Sequence, residues 1–125
     1  MASEIENITT LTRGNDVTLE FTVTSTEAIV RARFMVKKRY DDLDAAARID
    51  KEVTTSLTAD GQITGAGPYV IAIFLTQDDT ADDAVIEADK AYKYDLEVFN
   101  ADDEATTPMG GTITFRERVR LAVGV

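Results

Sequence analysis

The sequence predicts an all-β protein, an antiparallel sandwich with an apolar interior and a polar exterior. The main observation is the strict alternation in Val17-Thr18-Leu19-Glu20-Phe21-Thr22-Val23-Thr24, which follows the turn Arg13-Gly14-Asn15-Asp16. Successive side chains of a strand point to opposite faces, so the apolar residues line one face and the polar residues the other. The same pattern recurs along the chain between turn signals, which is typical of antiparallel sheets that are buried on one side.

The first half of the chain contains four predicted strands. They are Ile5 to Leu11, Val17 to Thr24, Ile29 to Lys37 and Ile49 to Leu57. The third strand has an apolar inward row and a mainly basic outward row, which are Val30, Ala32, Phe34 and Val36, and Arg31, Arg33, Met35 and Lys37. The alternation stops at Asp41 to Ala47, where a capping aspartate and a run of alanines predict a helical turn. The fourth strand ends before the turn signal Asp60-Gly61.

The second half contains three more predicted strands. Tyr69 to Leu75 is apolar on both faces, which predicts that a helix, a loop or a neighbouring subunit covers its second face. Thr80-Ala81-Asp82-Asp83 resembles a helix start with acids in the first turn. A strand with four inward residues follows (Tyr92, Tyr94, Leu96 and Val98), then an acidic loop from Asn100 to Thr107. The last strand comes after Gly110-Gly111 and turns Ile113, Phe115, Val119 and Leu121 to one face. About seven strands with regular turns match an immunoglobulin-like β-sandwich with one or two short helical turns.

Composition limits the chemistry that this chain can perform. Residues 1–125 are expected to form a single immunoglobulin-like domain. The chain has no cysteine and no histidine, which removes disulfides, thiolate chemistry and the usual general base. There is no phosphate loop, nucleophile elbow or zinc motif, so we expect no enzymatic activity and no cofactor. Residues 1–6 have neither a basic nor an apolar signal region, so we expect no signal sequence. No apolar run is long enough for a membrane helix, and the net charge of −10 disfavours nucleic acid.

The arginines of the third and last strands are the first candidate site. Arg31 and Arg33 lie on the outward face of the third strand, and Arg116, Arg118 and Arg120 on that of the last. In the predicted fold the sixth strand lies between them, so its Asp95 and Glu97 are expected to form cross-strand charge pairs worth ~0.2–1 kcal/mol each. The alternative is a subunit interface that binds an acidic loop of a neighbouring copy. In that case Arg118→Glu should weaken assembly and leave folding intact.

Two other features of the sequence each allow two interpretations. The clusters Asp41-Asp42-Asp44, Asp78-Asp79-Asp82-Asp83 and Asp102-Asp103-Glu104 contain oxygen ligands of the kind that calcium prefers, but solvated loops and helix caps explain them more simply. The apolar segment Leu121-Ala122-Val123-Gly124-Val125 either completes the last strand or adds a strand to a neighbouring protein, which makes Val123 and Val125 candidate interface residues.

The order of short motifs resembles the small immunoglobulin-like domains of tailed-bacteriophage structural proteins, typified by the N-terminal domain of baseplate upper proteins. The matching segments span about Ile8 to Leu121 and are Arg13-Gly14-Asn15-Asp16-Val17-Thr18-Leu19, Phe34-Met35-Val36-Lys37-Lys38, Asp41 to Ala47, Ile49-Asp50-Lys51, Leu75-Thr76-Gln77-Asp78-Asp79-Thr80, Tyr92-Lys93-Tyr94-Asp95-Leu96-Glu97-Val98 and Gly111-Thr112-Ile113-Thr114-Phe115. The resemblance contributes no catalytic residues.

This resemblance implies a virion structural protein that is made in the host cytoplasm and acts through protein contacts. The expected partners are other virion proteins and copies of the chain itself, with no nucleic acid and no membrane. In that family the domain commonly precedes a fibre or receptor-binding part, which this sequence does not include. We therefore expect a stand-alone tail or baseplate adaptor, with a capsid decoration or cement protein as the alternative. More distant alternatives are a carbohydrate-binding module that uses the exposed Phe99, and a cytoplasmic regulator or inhibitor.

Overall fold

The structure is a computed structural model that describes residues 4–5, 8–12, 14–39, 46–66, 68–80 and 86–116. These residues form nine strands and one helical turn. In chain order they are β1 (Glu4–Ile5), β2 (Ile8–Thr12), β3 (Val17–Val23), β4 (Arg31–Lys37), β5 (Ile49–Thr54), β6 (Gly61–Gly65), β7 (Tyr69–Leu75), α1 (Gln77–Thr80), β8 (Ala91–Phe99) and β9 (Ala105–Arg116).

The described strands form two sheets. The larger has the order β1–β9–β8–β4–β5, with β2 also paired to β9, and the smaller has the order β3–β7–β6. All pairs are antiparallel except those of β1 and β2 with β9, which are parallel. This is the topology of an immunoglobulin-like sandwich, in which the B, E and D strands face the G, F, C and C′ strands. The first strand lies beside the last, not beside β3.

The core lies between the two sheets, and three aromatic rings mark its centre. Phe21 on β3 contacts Phe34 on β4 and Tyr94 on β8, with ring centroids 5.9 and 6.2 Å apart. Phe34 and Tyr94 contact each other with centroids at 5.8 Å. All three rings are buried, and tilted packing of this kind adds to the stabilisation that burial supplies. The alternation predicted for β3 and β8 is therefore confirmed in the residues that join the sheets.

The number and bounds of the strands differ from the sequence-based prediction at several points, and the predicted strand Ile5 to Leu11 corresponds to the two strands β1 and β2. The strand β6 was not predicted, because Gln62-Ile63-Thr64 is a short alternation between two glycines that reads as a turn. The strand β9 begins at Ala105 and not after Gly110-Gly111, so the acidic loop is a tight hairpin that ends at Glu104. A register shift between Leu96 and Val98 accommodates the longer strand.

The start of β4 also corrects the prediction. Val30 was expected to point inward but is 40% exposed, and Ile29 is buried in its place. Both residues precede the strand, so the two-residue period does not extend to them. Met35 has the outward parity that was predicted, yet it is only 5% exposed.

The helical turn α1 closes the end of the sandwich at which β3 begins. It ends at Thr80, whereas the sequence placed a helix start there; residues 81–85 lie outside the described residues, and so do residues 41–45 of the turn predicted over Asp41 to Ala47. Thr80 is the one buried polar side chain among the described residues, and its hydroxyl accepts a hydrogen bond from the Gly14 amide at 2.7 Å. The Asp16 carboxylate accepts one from the Gln77 amide at 2.7 Å.

Candidate interaction surfaces

Arg31 is the centre of a fixed group of side chains on the outer face of the larger sheet. Its guanidinium donates to Glu52 at 2.9 Å and to Asp103 at 2.5 Å, and lies over the Phe99 ring at 3.7 Å from the ring centroid. The hydrogen bond to Asp103, and to a lesser extent the one to Glu52, raises the pKa of Arg31 above its ordinary value. The guanidinium is thus held at both edges and on one face, and 29% of the side chain remains exposed.

Arg33 is fixed by a second carboxylate on the same strand as Glu52. Its Nε and Nη2 donate to the two Asp50 oxygens at 2.9 and 2.7 Å, which is the two-bond geometry that matches a guanidinium to a carboxylate. We call these six residues the arginine patch; they are Arg31, Arg33, Asp50, Glu52, Phe99 and Asp103.

The partners of these arginines correct the sequence-based prediction. The sixth predicted strand does lie between the third and the last, since β8 pairs with both β4 and β9. However, Arg31 and Arg33 bond to acids of β5 and of the β8–β9 hairpin, not to Asp95 and Glu97. On β5, Thr54 lies directly opposite Arg31 and Glu52 lies directly opposite Arg33. Each arginine instead bonds to the acid two residues earlier on β5, which is a diagonal neighbour. The sequence carried a signal for this arrangement in the acids at alternate positions of β5.

The β8–β9 hairpin of the same chain supplies one acidic partner of Arg31, Asp103. Asp103 adopts φ of 62°, a left-handed conformation that aspartate tolerates better than most residues, and this turns its carboxylate to Arg31. Asn100 holds the hairpin in shape, because its side-chain oxygen accepts from the amides of Asp102 and Glu104, both at 3.0 Å. The arginine patch is therefore organised before any partner binds.

Arg116, the third predicted arginine within the described residues, does not join the patch. Arg116 is exposed and lies opposite Thr12, at the far end of β9 from Phe99. The reason is the register, which sets Asp95 opposite Gly110, six residues before Arg116. Four predicted site residues lie outside the described residues, and they are Arg118, Arg120, Val123 and Val125.

Asp95 lies over the glycine of the neighbouring strand. A Cβ at Gly110 would be 2.9 Å from its Oδ1, so the carboxylate occupies the space that a side chain would fill. Burial raises the pKa of Asp95, and the positive charge of Lys37 opposes this shift. The residue is a partly desolvated acid within the sheet and not a partner of the arginine patch.

A groove of about 590 Å³ opens beside the arginine patch, between the β3–β4 loop and the β8–β9 hairpin. Its lining is rich in hydroxyl and carboxylate groups around an apolar base, and consists of Thr24, Ser25, Thr26, Glu27, Ala28, Ile29, Val98, Phe99, Asn100, Glu104, Ala105 and Thr106. The Asn100 amide donates to both Glu27 and Glu104, at 2.6 and 2.9 Å, and so joins the two walls. Sequence reasoning missed this groove because its walls come from distant loops.

The outer face of the smaller sheet carries a row of apolar residues. Val70, Ala72 and Phe74 are half-buried on the outward face of β7, whereas Ile71, Ile73 and Leu75 are buried in the core. The sequence predicts that both faces of this strand are covered, but only the face toward the core is fully buried.

The acidic clusters contribute ion pairs of the chain itself. Asp79 pairs with Lys51 at 2.9 Å, and Asp103 pairs with Arg31. Among the described residues, no three acidic side chains are grouped so as to hold a metal ion. In the same part of the chain, no helix is long and apolar enough to cross a membrane.

Comparison with known proteins adds little to the topology. No protein-family model and no curated protein sequence matches this chain. Similar solved structures include the first immunoglobulin-like domain of human CD48, with 13% identity and a TM-score of 0.41 over 97% of this chain and 89% of that one. Another is the NK cell receptor Nkp44, with 9% identity and a TM-score of 0.44 over 94% of this chain and 100% of that one. The fold assignment rests on the strand order, and these similarities say nothing about function.

Proposed function

We propose that this protein is a structural component of a tailed-phage virion that binds copies of itself and other virion proteins and catalyses no reaction. Within the particle we assign it to the tail or baseplate as an adaptor, with decoration of the capsid as the alternative. The assignment to a virion rests on the sequence resemblance, and the observation that supports a role in protein contacts is the arginine patch, which sets two arginines and one aromatic ring on an exposed sheet face.

The arginine patch has the properties of a protein-binding surface. Arginine and aromatic residues are enriched at protein interfaces, and a guanidinium that is already fixed loses little conformational entropy when a partner covers it. Arg31 is held by Glu52 and Asp103 and stacked on Phe99, and the groove begins at the same ring. A partner that covers Phe99 would therefore bury part of the groove as well.

Two of the segments that carry the sequence resemblance contact each other in the fold. The turn Gly14 to Asp16 and the corner Thr76 to Thr80 are far apart in sequence, yet two hydrogen bonds join them. The residues that carry the resemblance thus have a structural role in one another's placement.

Membership of a virion is tested by peptide mass spectrometry on particles purified from cells that encode the protein. We expect its peptides in several copies per particle, in the tail fraction when heads and tails are separated. Recovery with the heads would favour the decoration alternative, and absence from complete particles would contradict the proposal.

The role of the arginine patch is tested by incorporation of two matched variants. Arg31→Ala removes the centre of the arginine patch, whereas Arg116→Ala removes an exposed arginine at the other end of the same sheet. We expect incorporation of the first variant to fall at least about tenfold, which corresponds to ~1.4 kcal/mol of contact energy. Equal incorporation of the two variants would exclude the arginine patch as the contact surface.

Carbohydrate binding is a second candidate, and the groove is the observation that favours it. Its volume lies within the range of small-ligand sites, and its hydroxyl, amide and carboxylate groups match the hydrogen-bonding groups of a saccharide. A glycan array that detects binding by the intact chain and by Phe74→Ala, but not by Phe99→Ala, would support this candidate. No binding by the intact chain would remove it.

A further inference from the structure

The outer edge of β3 has no partner strand in the described part of the chain. The order β3–β7–β6 places β3 at the edge of the smaller sheet, and its seven residues pair with β7 in unbroken register from Val17 to Val23. The preceding strand, β2, pairs with β9 in the other sheet. Alternate backbone N–H and C=O groups of β3 therefore point away from the sheet and are available to another strand.

Within the described residues, the sequence and pairing of β3 lack several features by which proteins prevent strand addition. Between Val17 and Val23 there is no proline, glycine, lysine or register shift, and the one charged residue is Glu20 on the outward face. Leu19 and Phe21 are buried, so the core face continues to the edge of the sheet. An added strand would need apolar residues at alternate positions and polar residues between them, with a positive charge preferred beside Glu20.

Residues 117–125 have an alternation that suits this edge from Val119 onward. We call them the tail. Their apolar residues alternate at Val119, Leu121, Val123 and Val125; Arg118 and Arg120 occupy the first positions of the other row, Ala122 and Gly124 follow, and Glu117 falls in the apolar row. As a strand, nine residues extend about 30 Å, which is enough to cover the roughly 23 Å of β3. With the apolar row turned to the core, both arginines lie on the face that carries Glu20.

The direction of β9 indicates which copy receives the tail. Its last residue, Arg116, lies opposite Thr12, at the end of the sandwich where the turn at Gly14 leads into β3. To reach β3 of its own molecule, the tail must first reverse, which uses two to five residues, and must then pair parallel to β3. A tail that continues in the direction of β9 leaves the molecule and can pair antiparallel along a whole edge, the slightly more stable arrangement.

We propose that the tail of one copy adds to the free edge of β3 in the next copy and so links the copies head to tail. Such a contact is heterologous, and it produces a ring if the rotation between copies closes and a filament if it does not. The inference rests on the self-association part of the proposed function and names its mechanism.

Engineered cysteines test this link directly, because the native chain has none. One preparation carries Thr18→Cys at the outward face of β3, and a second, with a different tag, carries Arg120→Cys in the tail. We expect a disulfide between the two tags when the preparations are mixed and oxidised, and none when Arg120→Cys is mixed with Thr54→Cys, a control on the larger sheet. A chain with both Thr18→Cys and Arg120→Cys that becomes oxidised as a monomer would overturn the proposal, because the tail would then occupy its own β3.

A charge exchange provides the second test and separates the two proposals. Arg118→Glu with Arg120→Glu should reduce the associated fraction, and Glu20→Arg in the same chain should restore it, whereas Arg116→Glu should have no effect. Association that persists without the tail would overturn the strand-addition mechanism and leave self-association intact. Absence of association, together with recovery of the protein from virions, would overturn this mechanism while the virion assignment stands.

Discussion

Replacement of Arg31 by alanine is the perturbation whose energy can be worked most fully from the structure. The variant loses two ion pairs and one ring contact. The carboxylate side chains of Glu52 and Asp103 are 48% and 75% exposed, so each ion pair is expected to contribute only about 0.2–1 kcal/mol. The stack on Phe99 adds about 0.5–1 kcal/mol. We therefore expect Arg31→Ala to lower the free energy of unfolding by about 1–3 kcal/mol.

Urea denaturation with and without salt separates the two contributions of Arg31. At about 1 M salt the screening length falls to about 3 Å, which weakens the exposed ion pairs but leaves the ring contact. The loss caused by Arg31→Ala should then fall to about half. The control Arg116→Ala should change the free energy of unfolding by less than about 0.5 kcal/mol. An equal and small effect of both substitutions would show that the arginine patch does not form in solution.

Three further predictions concern stability. Thr80→Val removes the acceptor of the Gly14 amide and should cost about 1–3 kcal/mol in urea denaturation, more than Thr80→Ser, which keeps the hydroxyl. Gly61→Ala should cost about 3 kcal/mol or more, because φ is +138° and the new Cβ would lie 1.9 Å from a carbonyl oxygen; near-native stability would contradict that backbone. Burial raises the folded pKa of Asp95, so its contribution to stability is present below the unfolded pKa and is lost as pH rises through the folded pKa. Asp95→Asn should therefore raise stability at neutral pH relative to wild type and flatten the dependence of stability on pH; an unchanged pH profile would contradict the desolvation.

The sequence predicted the fold correctly for strands that have one buried face and one solvent-exposed face. In β3 and β8 the alternation alone indicated which residues are buried, because register and burial share the same two-residue period. It failed where that period is absent or short. Val30 precedes its strand, and β6 has a single buried aliphatic residue, Ile63, between two glycines.

The candidate site was predicted in part, for a similar reason. The outward positions of Arg31, Arg33 and Phe99 follow from alternation within one strand. Their partners depend on which strands are neighbours, and on the conformation of Asp103 in the hairpin, neither of which a local pattern determines. The groove depends on two loops that are distant in sequence and therefore gave no signal.

The central claim, that this protein functions by assembly, is tested most directly by light scattering of the intact chain over a range of protein and salt concentrations. The account predicts a mass above that of one chain that rises with protein concentration or settles at a closed ring, and that falls to one chain when residues 117–125 are deleted. The mass of a single chain at every concentration, for the intact protein as well as the deletion, would contradict self-assembly through the tail and the β3 edge.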